Sequence, residues 1–529
     1  RFKNSSKKSF SKLTISKILV SLQVVKLNCV FVAFTVEKIS IKIVVMSNIL
    51  DLSPKRVFYY FNEICQIPHP SKKEAKMTEW LMETGKTLGL PTKRDAIGNV
   101  LISKPATPGK ENVTPVIFQS HMDMVCEKNA DTDFDFDKDA IQPWVDGEWL
   151  KAKGTTLGAD DGIGMAIQLA LLEDKSIEHG PIECLFTVDE ETGLTGAEHL
   201  EAGFMNGKML LNLDSEDEGE FFIGCAGGKD TQAFFDCEYV PVPKGYIAYN
   251  VIVKGLQGGH SGDDINKGRG NAVKLLNRIL WNSYQYFDLF IASIDAGNLR
   301  NAIAREGKAH VIVPEAKKAE FESYLNEMDE IYKKEYAVTD PGVMVIFEAA
   351  PMPEKVWDEY LQVDVMNALY VCPHGVLAMS QDIENFVETS TNLASVKVKE
   401  GRIVISTSQR SSVESKKQDA VDMVSATFYS VGASEVINGD GYPGWTPNPN
   451  SEVMKVLDTA YQNLFHKKPA IKAIHAGLEC GLFSLKYPNL DMVSYGPTLR
   501  GVHSPDEKLQ IATVQQVWDL TVEFLKILK

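Results

Sequence analysis

Three times between residues 116 and 214 the chain runs apolar and then stops on a histidine or an acid. Val116–Phe118 leads to His121 and Asp123, Ile182–Val188 to Glu190 and Glu191, and Met209–Leu213 to Asp214. Short, continuous apolar runs mark strands buried on both faces, as in a parallel sheet covered by helices. Two more segments share the pattern. His503 follows Leu490–Ser494, and Asp160 stands just before an apolar helix predicted from Gly164 to Leu172. Open α/β sheets bind ligands at the carboxyl ends of their strands and at helix mouths, so these residues are expected to meet in one pocket.

Alone, an aspartate before a helix is ordinarily an N-cap, and a histidine after a strand is ordinarily a hydrogen-bonded loop residue. The Glu190–Glu191 pair is different, because adjacent carboxylates at the end of a buried strand repel each other unless a proton or cation intervenes. Two histidines with three carboxylates suit a pair of Zn²⁺ ions about 3.5 to 4 Å apart, with one carboxylate bridging. Mn²⁺ or Co²⁺ suits the same mixed donors.

At 529 residues, 44% of them hydrophobic, the chain is too long for one core and apolar enough for several. From Leu52 onward, helical and strand-like segments alternate, which predicts an α/β domain. Ser71-Lys72-Lys73-Glu74 fits a capping box opening a helix that runs to about Leu88. Between residues 225 and 425 the texture changes to longer alternating strands, such as Tyr249–Lys254, beside charged helices, such as Ala316–Tyr336. This stretch is read as an inserted second domain, which leaves 46–224 and 426–529 as the two parts of the first. Residues 1–45 are read as an extension outside the fold. Its apolar stretch from Ile18 to Val36 is interrupted by Gln23, Lys26 and Asn28, which disfavours a spanning helix.

Charge narrows the function classes. The first 45 residues carry a local charge of +8, so a net −16 leaves −24 for the remainder. A body that acidic repels phosphate backbones and anionic membranes, which excludes nucleic acid and membrane as main partners. The eight cysteines are scattered, without a C-x-x-C pair, as suits a reducing cytoplasm. The acidic run Asp131–Asp139 fails as a calcium loop, because Phe136 stands where glycine is needed and Gln142 where glutamate is needed.

The segments Ser120-His121-Met122-Asp123-Met124-Val125, Gly158-Ala159-Asp160-Asp161-Gly162-Ile163-Gly164 and Asp189-Glu190-Glu191-Thr192-Gly193 resemble, in order and spacing, the metal motifs of M20 metallopeptidases. Asn212–Glu216 and Gly501–Glu507 complete the set, and the resemblance covers the chain from Met46 to Lys529. It implies a zinc-peptidase-like catalytic domain with a mixed central sheet flanked by helices, plus an inserted α+β lid domain. His121, Asp160 and Asp214 would hold one metal, and Asp160, Glu191 and His503 the other. Asp123 would accept the remaining ring N–H of His121, the Asp160–Asp161 peptide would be cis, and Glu190 would be the general base.

The resemblance also places His260, from Gly258–Gly262, as a donor to the oxyanion; the plain alternative is a turn histidine in a Gly-rich hairpin. Arg410 and Asn301, with the backbone of Gly477, would bind the free carboxylate of a short peptide. For Arg410 the plain alternative is a surface salt bridge. Cys372–Val376 and Glu388–Ala394 look most like the Xaa-His dipeptidase branch, which acts on aminoacyl-histidines and β-alanyl-histidine and forms a homodimer through the lid. An M20 aminoacylase, deacetylase or tripeptidase and an inactive peptide-binding homologue are the alternatives.

Overall fold

The computed structural model describes residues 48–529 and, before them, only the backbone of an antiparallel strand pair, Val30–Ala33 with Lys42–Val45. The expectation for the rest of residues 1–45 lies outside the described residues.

Two sheets organise the chain. The first has eight strands in the order Ala470–Ile474, Glu220–Cys225, Asp491–Ser494, Met209–Asn212, Val116–His121, Ile182–Thr187, Val100–Lys104 and Thr92–Arg94. The four from Asp491–Ser494 to Ile182–Thr187 run parallel, and antiparallel pairs flank them, so the sheet is mixed. Successive residues point to opposite faces. Val116 and Phe118 enter one core with helices such as Lys55–Cys65, Ala159–Glu173 and Ile511–Ile527, while Ile117 enters the other with Phe204, Trp445 and Phe483. Burial on both faces is why these strands are apolar throughout.

The second sheet has nine strands, all its pairings antiparallel, drawn from Gly227–Asp236 to Glu435–Asn438. Helices Ala272–Phe287, Lys318–Glu335, Glu359–Val371 and Glu414–Ser430 accompany it, and it has its own core around Val251, Leu276, Trp357 and Ile405. The boundary expected at 425 falls inside Glu414–Ser430, and Glu435–Asn438 pairs with Gly227–Asp236, so this body continues to Asn438. Among the described residues no helix is long and apolar enough to cross a membrane.

The capping box does not form. Helix Ala75–Thr87 ends where expected, but its N-cap is Glu74, which makes no side-chain cap bond. The Glu74 carboxylate is buried and instead accepts the backbone N–H groups of Lys72, at 2.7 Å, and of Asp189, at 3.1 Å. A distant donor at the end of strand Ile182–Thr187 displaces the local one.

Candidate active site

The strand ends bring the predicted residues together. His121 is the last residue of Val116–His121, Asp214 lies two beyond Met209–Asn212, and Glu190 and Glu191 follow Ile182–Thr187. Asp160 sits in the irregular first turn of Ala159–Glu173, and its peptide bond to Asp161 is cis. His503 occupies the loop between the paired strands Leu499–Arg500 and Lys508–Gln510.

Two groups share Asp160. On one side, His121 Nε2 lies 3.2 Å from Asp160 Oδ1 and 3.5 Å from Asp214 Oδ1. On the other, His503 Nε2 lies 3.1 Å from both Asp160 Oδ2 and Glu191 Oε2. In each triad the ligand-type atoms lie within 4.8 Å of one another, and one carboxylate gives an oxygen to each. Glu190 stands with His121 and Glu191 in a third such grouping.

The chemistry of these contacts calls for cations. His121 Nδ1 faces the Asp123 carbonyl at 3.0 Å and its carboxylate at 3.5 Å, so Nδ1 carries the proton. The Nε2 lone pair then confronts two carboxylates, which is repulsive unless positive charge lies between them. Burial works against protonating His121, yet Asp214, Asp123 and Asp160 raise its pKa well above the ordinary value. Hydrogen bonds to Asp160 and Glu191 push His503 up to about 11, and burial pushes Asp214 up to about 7. Burial also raises Glu190, and Glu191 Oε1 is buried without a partner. Such a set, two imidazoles and three carboxylates short of positive charge, fits two divalent ions.

Surrounding groups fix this geometry. The Asp123 carboxylate accepts the N–H groups of Glu190, at 2.9 Å, and Glu191, at 3.3 Å, while its backbone carbonyl is the nearer acceptor for His121. His121 Nδ1 thus faces both the carbonyl and the carboxylate of Asp123, the carbonyl being nearer. Glu507, fully buried, accepts N–H groups from Leu157 at 2.6 Å, Gly158 at 3.0 Å and Ala159 at 2.8 Å, with Asp160 at 3.4 Å, and so cradles the turn that presents Asp160. Glu479, also fully buried, accepts from Gln119 at 2.6 Å and Thr187 at 2.8 Å, beneath His121 and Glu190. Sequence reasoning assigned no role to Glu507 or Glu479. Both lie in segments it marked, but a carboxylate serving distant backbone or amide donors leaves no local spacing to read.

Arg410, Asn301 and Gly477 meet around a residue that was not singled out. Arg410 is buried, donates to the Tyr442 hydroxyl at 2.9 Å, and keeps Nε unpartnered. It is no surface ion pair. With Asn301, Ser408 and Tyr442 it lines a cavity of about 280 Å³. A Cβ on Gly477 would come within 2.8 Å of the Tyr442 ring, so glycine allows that ring its place. His260 is part of neither triad. Its Nδ1 lies 3.2 Å from the Asp263 backbone N and 3.3 Å from the Asp263 carboxylate, within the second body.

The profile of Peptidase family M20/M25/M40 matches residues 117–526. The chain is 43% identical to the cytosol non-specific dipeptidase of Escherichia coli over 91% of its own length and 99% of that protein. Its structure is similar to that of aminoacylhistidine dipeptidase from Vibrio alginolyticus, with a TM-score of 0.85 and 44% identity, over 91% of this chain and 98% of the other. Aminopeptidase PepT from Bacillus cereus shares the fold at a TM-score of 0.52 and 17% identity, over 90% and 98% of the two chains. With its ligand-type residues gathered at the strand ends and this agreement along its length, the chain belongs to peptidase family M20/M25/M40.

Proposed function

We propose that this enzyme is a cytosolic two-zinc dipeptidase that hydrolyses the single peptide bond of dipeptides, aminoacyl-histidines among them. The observation that carries the reading is the pair of triads sharing Asp160, with a fourth carboxylate, Glu190, beside them. A binding protein has no use for that extra base. The names of the two similar dipeptidases support the substrate class and the compartment. In this reading the eight-stranded sheet belongs to the catalytic domain and the nine-stranded sheet to an inserted lid.

His121, Asp160 and Asp214 would hold one zinc, and Asp160, Glu191 and His503 the other. When bound, the ions supply Lewis-acid polarisation of the scissile carbonyl and acidify the attacking water. Glu190 takes the proton from that water and returns it to the leaving amine. Asp123 holds the Glu190 and Glu191 backbone in place. Arg410, its Nε free, receives the substrate's terminal carboxylate by parallel N–H donors, with Asn301 and the Gly477 backbone beside it. His260, its Nδ1 turned to Asp263, donates from Nε2 to the developing oxyanion.

The test is hydrolysis of leucyl-histidine, β-alanyl-histidine, a histidine-free dipeptide, a tripeptide and N-acetyl-histidine by zinc-loaded enzyme, with a chelated control. Chelator-sensitive cleavage of dipeptides is expected. Cleavage of N-acetyl-histidine alone would make the enzyme a deacylase, and cleavage of nothing would reject the reading. Sedimentation of the same preparation decides whether a dimer forms through the lid.

A further inference from the structure

One residue of the zinc-bearing body has its polar contact in the other body. His475 follows Ala470–Ile474, the edge strand of the eight-stranded sheet, yet its buried ring bonds through Nε2 to Ser390 Oγ at 2.7 Å, in the nine-stranded sheet. Phe386 meets the same ring edge-on, with centroids 6.2 Å apart. Nδ1 makes no hydrogen bond. The loop of His260 closes over the backbone at this point, where a Cβ on Gly262 would lie 2.0 Å from the His475 carbonyl oxygen. Only glycine permits that approach.

Ser390 is not an arbitrary anchor. In the register of strands Val387–Lys399 and Arg402–Ser411 it stands directly opposite Arg410. On its other side Arg410 faces Gly228, whose missing side chain makes room for the Tyr442 ring. The position of Arg410 is therefore set from two sides, by Tyr442 and, through Ser390, by His475. Burial and the nearby Arg410 hold His475 neutral, its pKa lowered to about 3, so it adds no charge that would compete for an anion. Its loop is also tied inward. The Ala226 N–H bonds the carbonyls of Ile474 and Ala476 at 3.0 and 3.1 Å, and Glu479 bonds Gln119 and Thr187 under the two triads.

We infer that His475 is a specificity-determining positioning residue: its bond to Ser390 fixes how far Arg410 stands from the two triads, and so restricts cleavage to peptides whose free carboxylate lies one residue beyond the scissile bond. This rests on the dipeptidase reading above. A tie between two rigid sheets acts as a gauge, since small displacements at a catalytic site alter rates strongly. Loss of the tie lets the clamp settle at other distances, and longer peptides then compete.

The experiment compares kcat/KM for leucyl-histidine and leucyl-histidyl-glycine in zinc-loaded parent enzyme and in His475→Ala, Ser390→Ala, Gly262→Ala and the Ser390→Ala/His475→Ala double variant. The dipeptide-to-tripeptide ratio is expected to fall about tenfold in each single variant, with no further fall in the double, because both changes break one bond. His475→Gln, which still reaches Ser390, should restore most of it. Zinc content should stay at the parent level. Should His475→Ala fail to fold, the smaller change Ser390→Ala decides the matter alone. Equal losses on both substrates, with the ratio within twofold of the parent, would overturn the gauge and leave His475 merely structural. A parent enzyme that cleaves no dipeptide would overturn the functional reading and the inference together, a result distinct from the first.

Discussion

The two polar regions of this enzyme are incomplete in opposite senses. Around His121 and His503, carboxylates of Asp160, Asp214, Glu190 and Glu191 crowd together, and the histidines are drawn toward protonation. Around Arg410, a buried guanidinium meets a tyrosine hydroxyl, a serine and two glycines, and keeps one nitrogen unpartnered. One body is short of cations, and in the other Arg410 keeps Nε unpartnered although the Asp263 carboxylate lies near enough to be lowered by it. Buried charge without a partner is costly, so each region is shaped for what fills it: resident ions in the first, a passing carboxylate in the second. A substrate with an acyl carbonyl near one end and a carboxylate at the other satisfies both at once.

Variants can break this comparison from either side. Replacing Glu190 by Gln should leave zinc content intact and lower kcat about a thousandfold, measured on leucyl-histidine. Loss of zinc in that variant would make Glu190 a ligand rather than the base. Arg410→Ala should raise KM and reduce kcat/KM by about 10- to 100-fold, the range for losing charge-assisted hydrogen bonds, again without loss of zinc. A fall in zinc content there would merge the two regions into one structural unit.

The opposite signs should also show in stability against pH. In metal-free protein, burial raises Glu507 and Glu216 to about 7 and Glu479 to about 8. These groups take up protons on folding, so the stability they contribute is full below about pH 4.5 and fades as pH rises through 7 to 8. His374 and His475 are lowered by burial to about 4 and about 3, so their contribution holds above about 6.5 and fades on acidification. Between pH 6.5 and 8 the raised carboxyl groups give up stabilisation as pH rises, and so do His121 and His503, whose pKa values are raised as well. Urea unfolding of chelated protein should therefore lose on the order of 1 kcal/mol per raised carboxyl across that interval, and zinc should abolish the loss. A flat profile without metal would mean the carboxylates are already compensated. The smallest effect is expected of Tyr442→Phe, which removes the hydroxyl that receives Arg410 and should raise KM about fivefold at unchanged kcat.

The two regions also differed in how far they could be read from the chain. The ligand-type residues at the strand ends were legible because buried parallel strands are apolar throughout, so a polar residue soon after each one announces itself. Where function depends on a bond between distant segments, local spacing misleads. Ser71-Lys72-Lys73-Glu74 has the spacing of a capping box, but Glu74 turns to Asp189. Asp123 was expected to meet His121 through its carboxylate, yet its carbonyl is the closer acceptor and its carboxylate serves the Glu190–Glu191 turn. The second body was set to end at 425, where the texture of longer alternating strands and charged helices gives out. Only the pairing of Glu435–Asn438 with Gly227–Asp236 shows where it stops.

One earlier feature bears on how the enzyme is made. Asp160 and His503 are 343 positions apart, and Glu507, which cradles the Asp160 turn, comes later still. At roughly 5 to 20 residues per second, a ribosome needs about 17 to 69 s to travel from the first to the second. Throughout that interval the nascent polypeptide displays Asp160 without the histidine and glutamate that complete its surroundings. It can assemble the triad of His121, Asp160 and Asp214 but not that of Asp160, Glu191 and His503 until the segment from Gly501 to Glu507 has been made.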